Sequence, residues 1–342
     1  MSSFSALLIT WQRKHGRHDL PWQCNDAYRV WLSEIMLQQT QVATVIPYYL
    51  RFIAAFPTIA ELARATEEQV LAHWSGLGYY ARGRNLHRAA RMVVEQYDGE
   101  FPRQFEQILE LPGIGRSTAA AICALAYGQR RAILDGNVKR VLTRYCGIAG
   151  SPAIKSVEAL LWQQAEDLLP PGEVDCYTQA LMDMGATLCT RSKPKCNLCP
   201  VQGDCSAFQT GRVAELPTPK PRKTVPERHA TFLLAMHGRD ILLEKRGPAG
   251  IWGGLWCLPQ LEEGDEELAQ YSQRWQVDER IALPVFTHTF THFKLHITPL
   301  RLNLAHKPLT VQQAGSVWMD VGVALSAAIP TPVRMLLEKM DC

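Results

Sequence analysis

The pattern of hydrophobic and polar positions changes character about two-thirds of the way along the chain. In the first part, apolar residues recur at helical spacing in segments 28–38 (YRVWLSEIMLQ), 59–73, 84–97, 116–127, 137–146, 155–168 and 174–188, with Gly and Pro between them. Each segment predicts a helix. Residues 211–227, GRVAELPTPKPRKTVPE, break the pattern with four prolines and a basic cluster at Lys220, Arg222 and Lys223. Each X-Pro step disfavours helix at the residue before it, so a semi-extended linker is expected. Beyond it, TFLLAMHGRDILLEKR predicts two short strands around a His-Gly-Arg-Asp turn, and FKLHITPLRLNL alternates as a strand does. The acidic segment EEGDEELAQYSQRW is the main helix candidate there. The pattern therefore predicts an all-α domain over 1–210, a linker over 211–227 and a smaller α+β domain over 228–342, with no internal repeat.

Composition narrows the class. The 342 residues are 47% hydrophobic and 20% charged, which excludes a largely disordered chain, and the length favours two domains. No run approaches the length of apolar sequence that a membrane span needs. The N-terminal stretch MSSFSALLITWQRKHGRHD does not read as a secretory signal. Ten cysteines in such a chain point to reduced thiols or metal ligands in a cytosol rather than to disulfides. Residues 1–225 hold 25 Lys and Arg against 20 Asp and Glu, and the remainder 11 against 13. That imbalance fits an anionic partner bound by the first part, although many proteins without a nucleic-acid partner share it.

The strongest chemical signal is Cys189, Cys196, Cys199 and Cys205, in the spacing C-x6-C-x2-C-x5-C. Four thiolates so close in sequence can surround one metal centre, and an all-sulfur set favours iron–sulfur or zinc. Structural zinc sites usually join two CxxC knuckles, whereas here a single CxxC with short irregular loops favours one [4Fe–4S] cube. The same loop carries Arg191, Lys193 and Lys195. A metal centre would hold these cations in an array suited to phosphates; a solvated charged loop is the other reading.

Residues 111–119, LPGIGRSTA, lead into the apolar run AAAICALAY. Gly113 and Gly115 allow a tight turn whose free amides lie at a helix N-terminus, where an anion is favoured. Further on, Asp135 follows Ala-Ile-Leu in AILDGNVKR and is either a sheltered carboxylate, a helix cap, or both. Glu34, in VWLSEIMLQQTQV, has Val30, Trp31, Leu37 and Gln38 on its helical face. Such neighbours should desolvate it and keep it protonated near neutrality, as a general acid requires. The amides of Gln38, Gln39 and Gln41 can bond base edges or fill gaps in a duplex, or simply face water. In residues 74–82, glycines precede Tyr79 and Tyr80, which could present a stacking wedge or pack into a core.

Together these residues resemble the endonuclease III superfamily, and LPGIGRSTA is similar to the helix-hairpin-helix motif of DNA repair proteins. Within that superfamily the Glu34 segment and GLGYYARGRNL resemble adenine DNA glycosylases of the MutY type, from about residue 6 to the end of the cysteine loop. The resemblance implies a [4Fe–4S]-containing monomer that removes adenine mispaired with 8-oxoguanine or guanine in double-stranded DNA. It implies that Glu34 protonates the adenine ring and that Asp135, with Asn137 near it, stabilises an oxocarbenium-like sugar. It further places Gln38, Gln39 and Tyr79 beside the oxidised guanine, and the Gly113–Gly115 turn, Arg191 and Lys193 on the DNA. Relatives that also cut the strand carry a Lys two residues past the second hairpin glycine; Ser117 stands there, which implies base removal without efficient strand cleavage. In the second domain, Phe290, Thr291 and His292 occupy positions where relatives carry Phe-Ser-His to read 8-oxoguanine. Residues 250–260, GIWGGLWCLPQ, are similar to Nudix domains, but the acids at 262–267 lack the spacing of the Nudix metal box. Recognition rather than nucleotide hydrolysis is the implied role.

Overall fold

The computed structural model describes residues 3–219, 224–261, 275–307 and 315–340. Lys220, Arg222, Lys223, the acids at 262–267 and the helix candidate up to residue 274 lie outside the described residues. Contacts divide the chain into two units, residues 1–64 with 85–222 and residues 65–84 with 223–342. Among the described residues no helix is long and apolar enough to cross a membrane.

The helices in chain order are α1 (Ser3–His15), α2 (Ala27–Leu37), α3 (Val42–Ala55), α4 (Ile59–Arg64), α5 (Glu67–Trp74), α6 (Ala81–Gln96), α7 (Phe105–Glu110), α8 (Arg116–Tyr127), α9 (Gly136–Tyr145), α10 (Lys155–Asp167), α11 (Val174–Thr187) and α12 (Ser206–Gln209). The pattern misses α1, α3, α7 and α12; α3 carries Pro47 in its interior, which reads as a break. The single helix expected over 59–73 is in fact α4 and α5. Thr66 Oγ1 accepts a bond from Gln69 N, and Gln69 Oε1 accepts one from Thr66 N, so a capping box starts a new helix there.

The first unit is built on close helix packing. Ala119, Ala120, Ala121 and Ala124 of α8 are buried, and small side chains let neighbouring helices approach. Phe4 and Leu8 of α1, Leu142 of α9, Leu161 of α10 and Leu181 of α11 belong to the same core. Asp183 of α11 is fully buried and ties α1 and the following turn to α11. It accepts bonds from Arg17 N (2.8 Å), Arg17 Nε (2.8 Å), Gln12 Nε2 (3.0 Å) and Gln179 Nε2 (2.8 Å). The start of the expected semi-extended linker instead turns: Glu215 N and Leu216 N both donate to Arg212 O at 3.1 Å, and Leu216 is buried. An apolar residue in that stretch draws the chain onto the helical core.

The second unit holds a mixed sheet of strands β1 (Glu227–His237), β2 (Asp240–Lys245), β3 (Trp256–Cys257), β4 (Gln260–Leu261), β5 (Val277–Ala282), β6 (Phe286–Thr289), β7 (Lys294–Leu304) and β8 (Ser316–Asp320). The order is β3-β2-β1-β7-β5, with β4 on β1, β6 on β7 and β8 on β2. Only β1 and β7 pair in parallel among these, from Glu227 opposite Lys294 to Met236 opposite Asn303. β1 is central, and its run Phe232–Met236 is buried, as a strand covered on both faces must be. Helices α13 (Val321–Ser326) and α14 (Thr331–Glu338) follow β8. Residues 65–84 join this unit through side chains: Ser75 Oγ donates to Ile329 O at 2.6 Å, and Arg84 donates to Gly253 O at 2.6 Å.

Removing one partner of a buried, hydrogen-bonded charge pair leaves the other uncompensated. Asp183→Ala is therefore expected to destabilise the helical unit by about 3 kcal/mol, read as a lower denaturant midpoint in its far-UV transition.

Candidate active site

Glu34 and Asp135 come from elements a hundred residues apart in sequence, yet both line one cleft of about 870 Å³ in the first unit. Glu34 projects from α2 with Val30 and Trp31 buried beside it. Glu34 itself is half-buried and lines the cleft. Burial pushes its carboxyl up to about 8, and the charge of Asp135 adds to the shift.

Asp135 is the N-cap of α9, accepting from Val138 N at 2.8 Å. Both roles expected of it, cap and sheltered carboxylate, are present together. Burial raises its carboxyl too, which a simple picture of an ordinary ionised acid omits. Unlike Glu34, it is pulled back by the amides of Val138 and Asn137 and by the positive Arg140 and Lys139. Asp135 thus has support for its anion that Glu34 lacks, and its charge adds to the upward push on Glu34.

Asn137, Ser117, Gln38 and Gln39 line the same cleft. Asn137 is held by Arg140, whose guanidinium donates to Asn137 Oδ1 at 2.9 Å and to Cys189 O at 2.7 Å, so one side chain links the cleft wall to the cysteine loop. Ser117 Oγ accepts from Leu134 N at 2.9 Å and so pins the residue preceding Asp135. Gln38 approaches Thr118 Oγ1 at 3.5 Å. Gln39 is exposed and left-handed, with φ of 57°, in the turn between α2 and α3. At the hairpin, Gly113 has φ of 83°, and a Cβ there would lie 2.9 Å from Asn85 Cβ. A Cβ at Gly115, the N-cap of α8, would meet nothing within 4 Å, which leaves that helix end open.

Cys189, Cys196, Cys199 and Cys205 surround one small apolar cavity with Val141, Arg144 and Leu188. All four are free and half-buried. Burial raises the Cys199 thiol to about 11, with the charges of the other three adding to it. Among the described residues no group of three or more His, Cys, Asp or Glu could hold a metal ion on its own. The fit to a larger group therefore rests on the donor set, four soft sulfurs around one cavity. Arg191 and Lys193 stand exposed on the same loop.

The remaining predicted residues fall in the second unit. Tyr80 is buried whereas Tyr79 is 47% exposed with φ of 48°, so only one of the adjacent tyrosines is core. Tyr79 Oη and Thr291 Oγ1 are 2.9 Å apart. Phe290 stacks on Phe293 with ring centroids 4.4 Å apart and lies 5.4 Å from Trp252, and His292 is exposed. The tight turn after β6 thus presents the Thr291 hydroxyl from an aromatic base.

Residues 32–167 match the family described as HhH-GPD superfamily base excision DNA repair protein, and residues 230–339 match the NUDIX domain family. An adenine DNA glycosylase of Buchnera aphidicola (subsp. Acyrthosiphon pisum, strain APS) is 38% identical over 98% of this chain and 97% of its own length. The chain belongs to the adenine DNA glycosylase family. The human adenine DNA glycosylase is 35% identical over 99% of this chain and 74% of its own length. Among solved structures, a thermostable thymine-DNA glycosylase is similar with a TM-score of 0.55 and 31% identity, over 60% of this chain and 95% of that one. An endonuclease III–DNA complex, at 20% identity, 0.52 TM-score and 61% and 94% coverage, shares the fold. The protein is accordingly a DNA glycosylase of base excision repair, with DNA as its substrate.

Several residues of the glycosylase cleft escape sequence reasoning: Arg17, Trp22, Thr118 and Gln179 all line it. Arg17 and Gln179 meet only through Asp183, and no local spacing relates residues so far apart.

The raised carboxyl has a consequence for stability. Below its ordinary value of 4.5, Glu34 is protonated in native and unfolded chains alike. Between 4.5 and about 8 the native state keeps a proton that the unfolded chain has lost, so this residue costs stability increasingly as pH rises. Glu34→Gln cannot ionise. Its Tm is expected to gain on the wild type between about pH 5 and about pH 8, and a Tm difference independent of pH would contradict the burial of the acid.

Proposed function

We propose that this glycosylase hydrolyses the N-glycosidic bond of adenine mispaired with 8-oxoguanine, or with guanine, and leaves the strand intact. The observation that carries the reading is one cleft lined by two carboxyls, Glu34 pushed up to about 8 by burial and Asp135 held by helix amides with Arg140 and Lys139 near it. Adenine leaves poorly as an anion and readily once protonated. The extruded base receives a proton from Glu34 as the bond to C1′ breaks, and the anionic Asp135 offsets the positive charge growing on the sugar. Water then bonds to C1′, and its proton returns to the Glu34 carboxylate. Asn137 borders the same space, and the Ser117 bond to Leu134 N keeps the Asp135 turn in place.

Ser117 has no amine, so the imine of the strand-cutting relatives has no nucleophile at that position. Gln38 and Gln39 supply amides to the gap left in the duplex, Tyr79 supplies a ring to wedge it, and the Thr291 hydroxyl, with Phe290 and His292 beside it, supplies a contact to the oxidised guanine. The open N-terminus of α8 behind Gly113 and Gly115, with Arg191 and Lys193, suits backbone phosphates. The four cysteines suit a [4Fe–4S] cluster, which when bound supplies covalent anchorage for that basic loop.

Duplexes carrying A:8-oxoguanine, A:G and A:T test the reading. Alkali-dependent breaks are expected with the first two only. Strand nicking before alkali would overturn the monofunctional assignment, and equal release from A:T would overturn the mispair. Glu34→Gln is expected to lower single-turnover adenine release by roughly 10²- to 10⁴-fold, with duplex affinity changed only a few-fold.

The pH profile checks the proton on Glu34 separately. Release should fall as pH rises through about 8, where that residue loses its proton. A rate that stays level through this range would remove Glu34 as the acid.

A further inference from the structure

Arg144, on α9, is 3% exposed, which is unusual for a side chain that cannot shed its charge. Its Nε donates to Leu216 O at 2.8 Å, and its other nitrogens donate to Thr190 O at 2.8 Å and to Arg191 O at 3.3 Å. One of them also donates to Cys189 Sγ at 3.4 Å. Among the described residues its hydrogen-bond partners are carbonyls and this sulfur, with no carboxylate within ion-pair distance. Carbonyl dipoles solvate a guanidinium in part, but a buried charge calls for an opposite one. Arg140, one turn earlier on the same helix, donates to Cys189 O and adds to the local positive charge. The Arg144 side chain also lines the cavity that the four cysteines surround.

We propose that Arg144 is the buried counter-cation of the cysteine-held centre and that its N–H bond to Cys189 sulfur tunes that centre. The inference rests on the reading that the four cysteines hold an iron–sulfur cluster. Four thiolates outweigh the charge of the cluster core, so the assembled centre is anionic and supplies the charge that Arg144 otherwise lacks. A hydrogen bond to a ligand sulfur, together with a nearby cation, stabilises the more reduced state and raises the reduction potential. The same side chain joins three backbone carbonyls of the cysteine loop and the Leu216 turn, so tuning and closure of the loop reside in one residue.

The test uses full-length protein purified without oxygen, with iron and sulfide content, the rate of bleaching by a chelator, and the DNA-bound reduction potential as readouts. Arg144→Lys keeps a charge on a similar stem, and Arg144→Gln keeps hydrogen-bond donors without it. The Gln variant is expected to bleach about tenfold faster than wild type and to have a more negative potential, with the Lys variant, which keeps the charge but not the guanidinium fork that reaches sulfur, between the two on both. Equal bleaching and equal potentials in wild type, Lys and Gln proteins would overturn the proposal. Should the Gln variant not fold, the Fe–S stretching bands of wild type and Lys protein in H₂O and D₂O decide it. A deuterium shift in wild type that is smaller in the Lys variant supports the N–H bond to sulfur, and identical shifts overturn it. Wild-type protein that binds no iron would sink the cluster reading itself, whereas iron-loaded wild type beside indifferent variants would sink only the role of Arg144.

Discussion

Two carboxyl groups that share a poorly solvated cleft cannot both carry charge at ordinary cost, and the first unit gives the two unequal support. Asp135 begins a helix, so two amides and two flanking cations favour its anion. Glu34 lies in mid-helix among apolar side chains and has no comparable support. The asymmetry comes from backbone position as much as from burial. A capping residue and an interior residue of the same chemical type meet unequal surroundings because one faces helix amides and the other faces a core.

Around that pair, the helical unit deals with its buried charges by local compensation. Asp183 is neutralised by Arg17 and two glutamine amides, and through them it shapes the cleft wall. Arg140 joins Asn137 to the backbone of the cysteine loop, so one side chain connects the cleft wall to that loop. Ser117 belongs to the same scheme: a hydroxyl at this hairpin position serves as a backbone clasp for the Asp135 turn.

Much of the site was legible in the sequence because its signals are local. Glu34 could be read from neighbours three and four residues away, Asp135 from an apolar run followed by a capping position, and the four thiols from spacing alone. What was not legible depends on contacts distant in sequence. Nothing near Arg17 or Gln179 announces Asp183 as their common partner, and nothing near Arg144 announces its burial. The split of 59–73 into α4 and α5 was hidden because the apolar period runs on across Ala65 while the capping box at Thr66 restarts the helix. The fold class of both parts followed from periodicity, but α3 was lost to Pro47. The Tyr79–Tyr80 pair was ambiguous because adjacent residues point to different surroundings, which only the packed structure distinguishes.

The membership of residues 65–84 in the second unit means that the chain enters that unit twice, once early and once after residue 222. Cleavage in the proline-rich segment would therefore not release two self-sufficient pieces. The N-terminal fragment would keep α5 and Tyr79 but lose the backbone carbonyls of Gly253 and Ile329 to which that excursion is bonded. A protease cut there would orphan twenty residues in the middle of the larger fragment, and genetic dissection of the protein at this apparent boundary would divide a module rather than separate two.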